Sequence, residues 1–212
     1  DMLPHVLKYA EDIMYRHKII ENEGMRGNAI QAIISALHEK NPREEKHSMR
    51  VSELCQKIGR HLGMSPIEIS RLKVIGLLHD IGKIAIDESI LNNPGRLSAS
   101  QYEEIQRHPE IGYRILNTSY ELRELAECVM SHHERWDGQG YPKRLSGTSI
   151  PFVSRIIAVV DSFDAMTSER PYRPCLSVEQ ALLEIGLNAG KQFDPHIADS
   201  FVRMMGSLVS NT

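Results

Sequence analysis

Two short stretches of the chain combine imidazoles and carboxylates with residues that break helices. Residues 132–142 read His-His-Glu-Arg-Trp-Asp-Gly-Gln-Gly-Tyr-Pro, and residues 79–83 read His-Asp-Ile-Gly-Lys directly after an apolar helical run. Imidazoles and carboxylates are ligands with which proteins hold divalent transition metals, and an ammonium beside them is suited to contact a phosphate oxygen. The two stretches therefore predict two parts of one metal site, of the kind that activates water for hydrolysis.

Three residues elsewhere are candidates for the same site. His47 opens a helix whose apolar stripe faces the core, His108 stands beside a proline, and Asp161 follows the very apolar run 156–160. A carboxylate buried after such a run needs a strong partner, and a metal ion is one. Together with the two stretches, the set contains five imidazoles and two carboxylates, which is more than one ion requires. Two ions sharing a bridging carboxylate would use all of them and leave positions open for water and substrate.

Helical periodicity dominates the chain, and no pair of alternating segments is joined by a hairpin signal, so the sequence predicts an all-α fold. Capping residues predict four helix starts, at Ser65, Ser98, Ser177 and Asp194. The first of these helices is expected to run to about Asp80. Residues 92–95 and 137–142 are rich in residues that tolerate positive φ or forbid helix, which predicts loops.

Charge and composition exclude some classes of partner. The formal net charge is −3 with acids and bases interspersed, so no polybasic stripe for DNA or anionic lipid is present and we expect no DNA binding. No apolar run approaches the ~20 residues that cross a bilayer, and no signal peptide opens the chain, so we expect a cytoplasmic protein with no membrane insertion in this part. The three separated cysteines are expected to be reduced.

The N-terminal part is expected to be distinct from the rest. Residues 1–24 carry a helical apolar stripe with no preceding cap, and residues 25–212 are expected to form the main domain. Residues 9–18 resemble the closing helix of GGDEF domains, and a plain linker helix fits them as well. Either interpretation makes this chain a piece of a longer protein.

Five motifs in order carry a family resemblance. They begin at His47, His79, His108, His132 and Asp161, the fourth ending Gly140-Tyr141-Pro142 and the last running on to Arg173. In this order they resemble the HD-GYP family, cyclic dinucleotide phosphodiesterases within the HD superfamily, over residues 43–204. The resemblance implies an HD-superfamily helical bundle with a central binuclear metal site, to which residues 1–24 would add an N-terminal linker helix.

The resemblance also implies how the ligands divide. One metal would be held by His47, His79, Asp80 and Asp161. The second would be held by His108, His132 and His133, with Asp80 bridging. Mixed nitrogen and oxygen ligation suits two divalent ions of iron or manganese, and zinc, cobalt and nickel remain open. The implied reaction is attack by a metal-bridging hydroxide on cyclic di-GMP, giving linear pGpG, with a second cut to GMP left open.

Further residues of the motifs receive roles around the metals. Asp80 and Lys83 are expected to be catalytic, although a lysine at a helix end also satisfies carbonyls. Contacts to substrate are expected from Lys83, Tyr141, Arg170 and Arg173. Glu134 and Asp164 are expected to orient ligands, and Arg50 to form a structural ion pair. Trp136 either packs beneath its loop or lines the substrate cleft.

One position departs from the family pattern. Some members carry a glutamate four residues before the first histidine that helps bind a third metal, and here that position is Arg43. The adjacent Glu44 and Glu45 are expected to point elsewhere on the helix. The sequence therefore favours a two-metal centre.

Two other functions stay open. HD-superfamily sites serve several nucleotides, so another cyclic dinucleotide or a phosphomonoester is an alternative substrate. A sensing or protein-interaction module with little turnover is an alternative of a different class. Expected partners are cyclic di-GMP and a GGDEF domain or upstream sensor, with a homodimer as a further option.

Overall fold

The computed structural model describes residues 32, 34–39, 41–93, 95–118, 120, 122–168 and 175–209. The expected N-terminal helix over residues 1–24 and the expected substrate contacts Arg170 and Arg173 lie outside these residues. The α-helices after position 41 are α1 Pro42–His61, α2 Pro66–Leu78, α3 Glu88–Leu91, α4 Ala99–Ile105, α5 His108–Leu116, α6 Arg123–Met130, α7 Phe152–Thr167, α8 Val178–Leu187 and α9 Pro195–Val209. The described part of the chain contains no β-strand, which confirms the all-α prediction.

The predicted capping residues begin the helices as expected. Ser65, Ser98 and Ser177 each accept a hydrogen bond from the backbone N–H three residues on, while the side chain at that position returns a bond to the cap. Asp194 accepts from the backbone N–H groups of residues 196 and 197 at the start of α9. These bonds satisfy amides that have no partner within the helix. Local sequence is therefore sufficient to set these four boundaries.

The first predicted helix ends slightly earlier than expected. Helix α2 ends at Leu78, and the chain tightens into a 3₁₀ helix over Ile81–Ala85. His79 and Asp80 therefore lie at the junction between the two helices, not inside α2. A change of helix type at this point lets consecutive side chains leave the α2 periodicity and face the same side.

The bundle is built around α1 and α7. Helix α1 packs against α2 and α7, α9 packs against both α1 and α7, and α5 packs against α6 and the 3₁₀ helix. Val51, Ile75, Ile157 and Phe201 are almost fully buried between these elements. In the described part of the chain, no helix combines the length and apolar character that a membrane span requires.

A close backbone approach brings α5 against the 3₁₀ helix. A Cβ atom at Gly82 would lie 2.6 Å from the backbone nitrogen of Gly112, and one at Gly112 would lie 2.9 Å from a methyl group of Val129. Only glycine fits at such distances. The two glycines therefore allow α5 to lie close against both the 3₁₀ helix and α6.

Candidate metal centre

The structure brings all seven expected ligands to one place from five parts of the chain. His47 comes from α1, His79 and Asp80 from the end of α2, His108 from the start of α5, His132 and His133 from the residues after α6, and Asp161 from α7. Their metal-binding atoms fall into two groups that share Asp80. We call His47, His79 and Asp161 the acid-rich half, and His108, His132 and His133 the imidazole-rich half.

Asp80 divides its two carboxylate oxygens between the halves. Oδ2 lies 3.5 Å from Nε2 of His47 and 3.2 Å from Nε2 of His79. Oδ1 lies 3.1 Å from Nε2 of His108 and 3.9 Å from Nε2 of His132. One oxygen facing each half is the arrangement that a bridging carboxylate requires.

The acid-rich half is completed by a second carboxylate. Oδ1 of Asp161 lies 3.3 Å from Nε2 of His47 and 3.9 Å from Nε2 of His79. In the imidazole-rich half, the ligand atoms of His108, His132 and His133 all lie within 4.8 Å of one another and of Asp80. The acid-rich half therefore offers two nitrogens with oxygens of two acids, and the other half three nitrogens with one acid.

Four of the histidines are held with Nε2 facing the centre. Nδ1 of His79, His108 and His132 each donates to the backbone carbonyl three residues earlier, and Nδ1 of His47 donates to Oδ2 of Asp164 at 2.7 Å. Because a carbonyl oxygen can only accept, the hydrogen of each neutral ring of the first three is on Nδ1 and the lone pair is on Nε2. A bonded second nitrogen is also the usual state of a metal-ligating histidine.

The spacing of these nitrogens fits metal coordination. Nε2 of His47 lies 3.2 Å from Nε2 of His79, and Nε2 of His108 lies 3.2 Å from Nε2 of His132. Two nitrogens each about 2.1 Å from one ion lie about 3.0–3.4 Å apart at octahedral to tetrahedral angles. Lone pairs this close repel each other unless a cation or proton lies between them. The donor set therefore fits two metal ions.

The two halves shift the pKa values of their histidines in opposite directions. In the acid-rich half, burial opposes the charge on His47, but hydrogen bonds to Asp161, Asp164 and Asp80 outweigh it and raise the pKa of His47 well above its ordinary value. In the other half, burial and the neighbouring imidazoles of His133 and His108 lower the pKa of His132 well below its ordinary value. Burial, with His108, also lowers the pKa of His133 to about 3.

The ammonium of Lys83 lies against two acids at the edge of the acid-rich half. Its Nζ is 2.7 Å from Oδ2 of Asp80 and 3.1 Å from both carboxylate oxygens of Glu44. Burial opposes the charge on Lys83, but Asp80 and Glu44 outweigh it and raise its pKa. Contact with two carboxylates favours a role at the site over the alternative of satisfying carbonyls at a helix end.

The expectation that Glu44 points elsewhere is wrong. Its side chain is 14% exposed and reaches Lys83, whereas that of Glu45 is 52% exposed. Residues three apart on a helix share a face, so Glu44 lies on the face of α1 that carries His47. Arg43, four residues before His47, is exposed, so the acid that reaches the site from α1 lies one position later than in the family pattern.

Asp164 and Arg50 support the acid-rich half. Asp164 is 3% exposed and accepts the hydrogen bond from His47 described above. Arg50 donates to both oxygens of Asp164, with Nη2 at 2.9 Å from Oδ2. Burial raises the pKa of Asp164, but the bonds from His47 and Arg50 outweigh this and lower it. Asp164 therefore lies where an orienting acid would be, and Arg50 forms the expected ion pair.

The expectation that Glu134 orients a ligand is not what its contacts show. Its carboxylate is buried and accepts from the backbone N–H groups of Lys143 at 2.6 Å and Leu145 at 3.0 Å. The described hydrogen bonds of this carboxylate are therefore to the following loop, which folds back over it. A Cβ at Gly140 would lie 2.6 Å from Cα of Glu134, so glycine is required where the loop returns.

Two aromatic residues of this loop have different surroundings. The ring of Tyr141 stacks on that of His133, with centroids 4.9 Å apart and planes at 27°. The guanidinium of Arg155 lies 5.8 Å from the ring centroid of Trp136, and the backbone N–H of Trp136 donates to the carbonyl of Gln192. Tyr141 therefore borders the imidazole-rich half, and the contacts of Trp136 favour packing beneath the loop.

Curated proteins that are similar to this chain are named as cyclic dinucleotide phosphodiesterases. The chain is 41% identical over 161 residues to a cyclic di-GMP phosphodiesterase of Thermotoga maritima, covering 75% of this chain and 44% of that protein. It is 38% identical over 171 residues to the 3′3′-cGAMP-specific phosphodiesterase 2 of Vibrio cholerae, covering 76% of this chain and 33% of that protein. The chain thus spans less than half the length of these curated relatives.

A solved structure and a family model are also similar to this chain. An HDG"Y"P protein from Bdellovibrio bacteriovorus superposes with a TM-score of 0.66 at 15% identity, covering 91% of this chain and 68% of the other, which supports the fold. The family model described as HD domain matches residues 31–197. The family expected from the five ordered motifs is therefore confirmed, and the chain belongs to the HD domain family, within its HD-GYP branch.

Proposed function

We propose that this chain is a metal-dependent phosphodiesterase that hydrolyses cyclic di-GMP to linear pGpG, with a second cut to GMP where the product stays bound. The observation that carries the proposal is Asp80, whose two oxygens face separate sets of Nε2 atoms. Such a carboxylate suits two adjacent ions. Two divalent ions, when bound, activate a water for in-line attack on phosphorus and neutralise charge on the phosphoryl oxygens.

The protein's own groups complete this chemistry. Asp80 and the four histidines that are held by Nδ1 bonds provide a rigid ligand set, which keeps the attacking geometry fixed. Lys83 places a positive charge beside Oδ2 of Asp80, where an ammonium can contact a phosphate oxygen or stabilise the departing alkoxide. Tyr141, stacked on His133, offers an aromatic face or a hydroxyl to the substrate. Arg170 and Arg173 remain proposed contacts to phosphate or guanine.

Iron or manganese is the proposed metal pair, because the acid-rich half adds oxygen ligands to the nitrogens. We propose two ions, consistent with the exposed Arg43. A cytoplasmic location, a GGDEF or sensor-domain partner and a homodimer stay predictions. The division into residues 1–24 and 25–212 also stays a prediction.

A second substrate is favoured by one observation. The relative from Vibrio cholerae acts on 3′3′-cGAMP and is nearly as similar to this chain as the cyclic di-GMP phosphodiesterase. The two substrates differ in one base, so the metal centre alone does not discriminate between them. We therefore propose 3′3′-cGAMP as the alternative substrate.

The test is turnover by protein purified without oxygen and loaded with iron or manganese. Cyclic di-GMP, 3′3′-cGAMP and cyclic di-AMP are supplied separately, and products are resolved by chromatography. We expect pGpG from the parent, none from Asp80→Ala, and unchanged rates from the control Glu88→Gln, which alters an exposed acid. Tight binding of cyclic di-GMP without product would reject the enzyme and favour a sensing module.

A further inference from the structure

A pair of side chains outside the expected ligand set connects α1 to the metal centre. Glu44 lies in the first turn of α1 and Lys83 lies in the 3₁₀ helix after Asp80, 39 residues apart in sequence. Both oxygens of Glu44 are 3.1 Å from Nζ of Lys83. The side chains are only 14% and 18% exposed. A symmetric, largely buried contact of this kind restricts where the ammonium can lie.

Glu44 differs from the other acid that contacts this ammonium. Oδ2 of Asp80 also faces His47 and His79, so its lone pairs are committed to the metal centre. Glu44 contacts Lys83 from α1, and the described hydrogen bonds of its carboxylate are to that ammonium. A lysine side chain has a flexible stem and a compact charge, so a second fixed acceptor is needed to hold it in one place.

We infer that Glu44 is a positioning residue, which holds the ammonium of Lys83 beside the metal-bridging carboxylate in readiness for a phosphate oxygen. The inference rests on the proposed phosphodiesterase function for its catalytic consequence. It adds a residue to the reaction that the five motifs do not contain. Glu44 would act through Lys83 and would not itself touch substrate or metal.

The test uses four variants of the whole chain. Glu44→Gln keeps the size of the side chain and removes its charge, and Glu45→Gln does the same to the neighbouring exposed acid. Lys83→Met removes the ammonium, and the double variant Glu44→Gln/Lys83→Met shows whether the two act together. Circular dichroism and thermal melting verify that each variant is folded, and bound metal is counted in each.

We expect Glu44→Gln to lower kcat about tenfold with KM and metal content unchanged, because a misplaced group loses transition-state contact. Glu45→Gln should match the parent. Adding Glu44→Gln to Lys83→Met should cause no further loss. The inference is overturned if Glu44→Gln matches the parent, if it releases a metal ion, which would make Glu44 a ligand, or if its cost multiplies with that of Lys83→Met.

A readout independent of turnover separates this inference from the proposed function. In protein with ¹⁵N-labelled lysine, a fixed and shielded ammonium gives an observable Nζ signal, which Lys83→Met assigns. We expect this signal in the parent and in Glu45→Gln, and its loss in Glu44→Gln. Turnover absent from the parent would reject the proposed function alone, whereas a signal unchanged in Glu44→Gln, or absent from the parent, would reject the positioning role alone.

Discussion

The two halves of the metal centre share Asp80 but differ in the charge around their histidines. In the acid-rich half, Asp161 and Asp164 surround His47 and raise its pKa well above its ordinary value, against the effect of burial. In the imidazole-rich half, burial and neighbouring rings lower the pKa of His132 and bring that of His133 to about 3. The first half therefore favours a proton on His47, where an ion would bind, and the second keeps the rings of His132 and His133 neutral.

This difference indicates that the halves are prepared for metal in different ways. A metal ligand must be deprotonated, so an ion entering the acid-rich half has to displace a proton from His47. An ion entering the imidazole-rich half meets lone pairs on His132 and His133 that are already available. Acids surrounding the first position also add oxygen ligands, which suit harder ions. The comparison predicts that the halves load separately and respond differently to pH.

The largest expected effect comes from removing one ligand of each half. His79→Ala should lose the ion of the acid-rich half and His132→Ala that of the imidazole-rich half, so bound metal falls from two ions to one in each. Each loss should lower kcat by about 10³, because one ion supplies several kcal/mol of transition-state stabilisation. Metal analysis and product chromatography measure both, and His196→Ala, which alters an exposed histidine of α9, is the control. Loss of both ions from either variant would show that the halves do not bind independently.

The candidate ligands that the structure brings together could be chosen from sequence because each one stands beside a local signal. His79-Asp80 follows an apolar helix, and Asp161 follows the apolar run of α7. The helix starts at Ser65 and Ser177 could also be predicted from sequence, since a capping box spans only four residues. What these signals could not provide was the direction of side chains that meet across the bundle.

Contacts between residues that are apart in the sequence decide these directions. The direction of Glu44 depends on where the 3₁₀ helix places Lys83, 39 residues later. The direction of the Glu134 side chain depends on the loop that brings the backbone N–H groups of Lys143 and Leu145 back to it. The bond from His47 to Asp164 joins residues 117 positions apart. The sequence predicts that Asp164 orients a ligand, but only the packing of α1 against α7 identifies that ligand as His47.

The second prediction concerns pH and uses the same two variants. His132→Ala retains the acid-rich half, where the raised pKa of His47 means that a proton competes with the ion as the pH falls. Its affinity for Mn²⁺ should drop about tenfold per pH unit between about pH 7.5 and 5.5. His79→Ala retains the other half, where the pKa of His133 is about 3 and that of His132 is lowered. Its affinity should change much less.

Calorimetric titration with Mn²⁺ at three pH values measures both slopes. The sign follows from protonation: a group with a strongly raised pKa carries a proton that it must release to bind the ion, whereas one with a lowered pKa is neutral and releases none. Equal slopes for the two variants would refute the charge difference between the halves.

The third prediction concerns a variant that weakens metal binding in one half without removing a ligand. Asp164→Asn takes away the carboxylate that accepts from Nδ1 of His47 and from Arg50. Loss of such a supporting bond costs about 10–100-fold in metal affinity, and the loss should be confined to the acid-rich half. Titration in the His132→Ala and His79→Ala backgrounds assigns it. Asp199→Asn, in an exposed pair with Arg203, is the control, and an equal loss in both backgrounds would contradict a local role.

The smallest expected effect separates the loop beside the imidazole-rich half from metal binding. Glu134→Gln replaces one oxygen that accepts a backbone N–H with an amide that cannot, leaving one of Lys143 and Leu145 without its bond. We expect the free energy of unfolding to fall by about 1–3 kcal/mol. KM should rise several-fold because the loop carries Tyr141, while both ions stay bound. Glu127→Gln is the matched control, since Glu127 pairs with the side chain of Lys143 at the surface. Retention of both ions would mean that Glu134 shapes the substrate side of the site. Loss of the ion from the imidazole-rich half would mean that Glu134 supports a metal ligand, so that this half depends on a supporting carboxylate as the acid-rich half does.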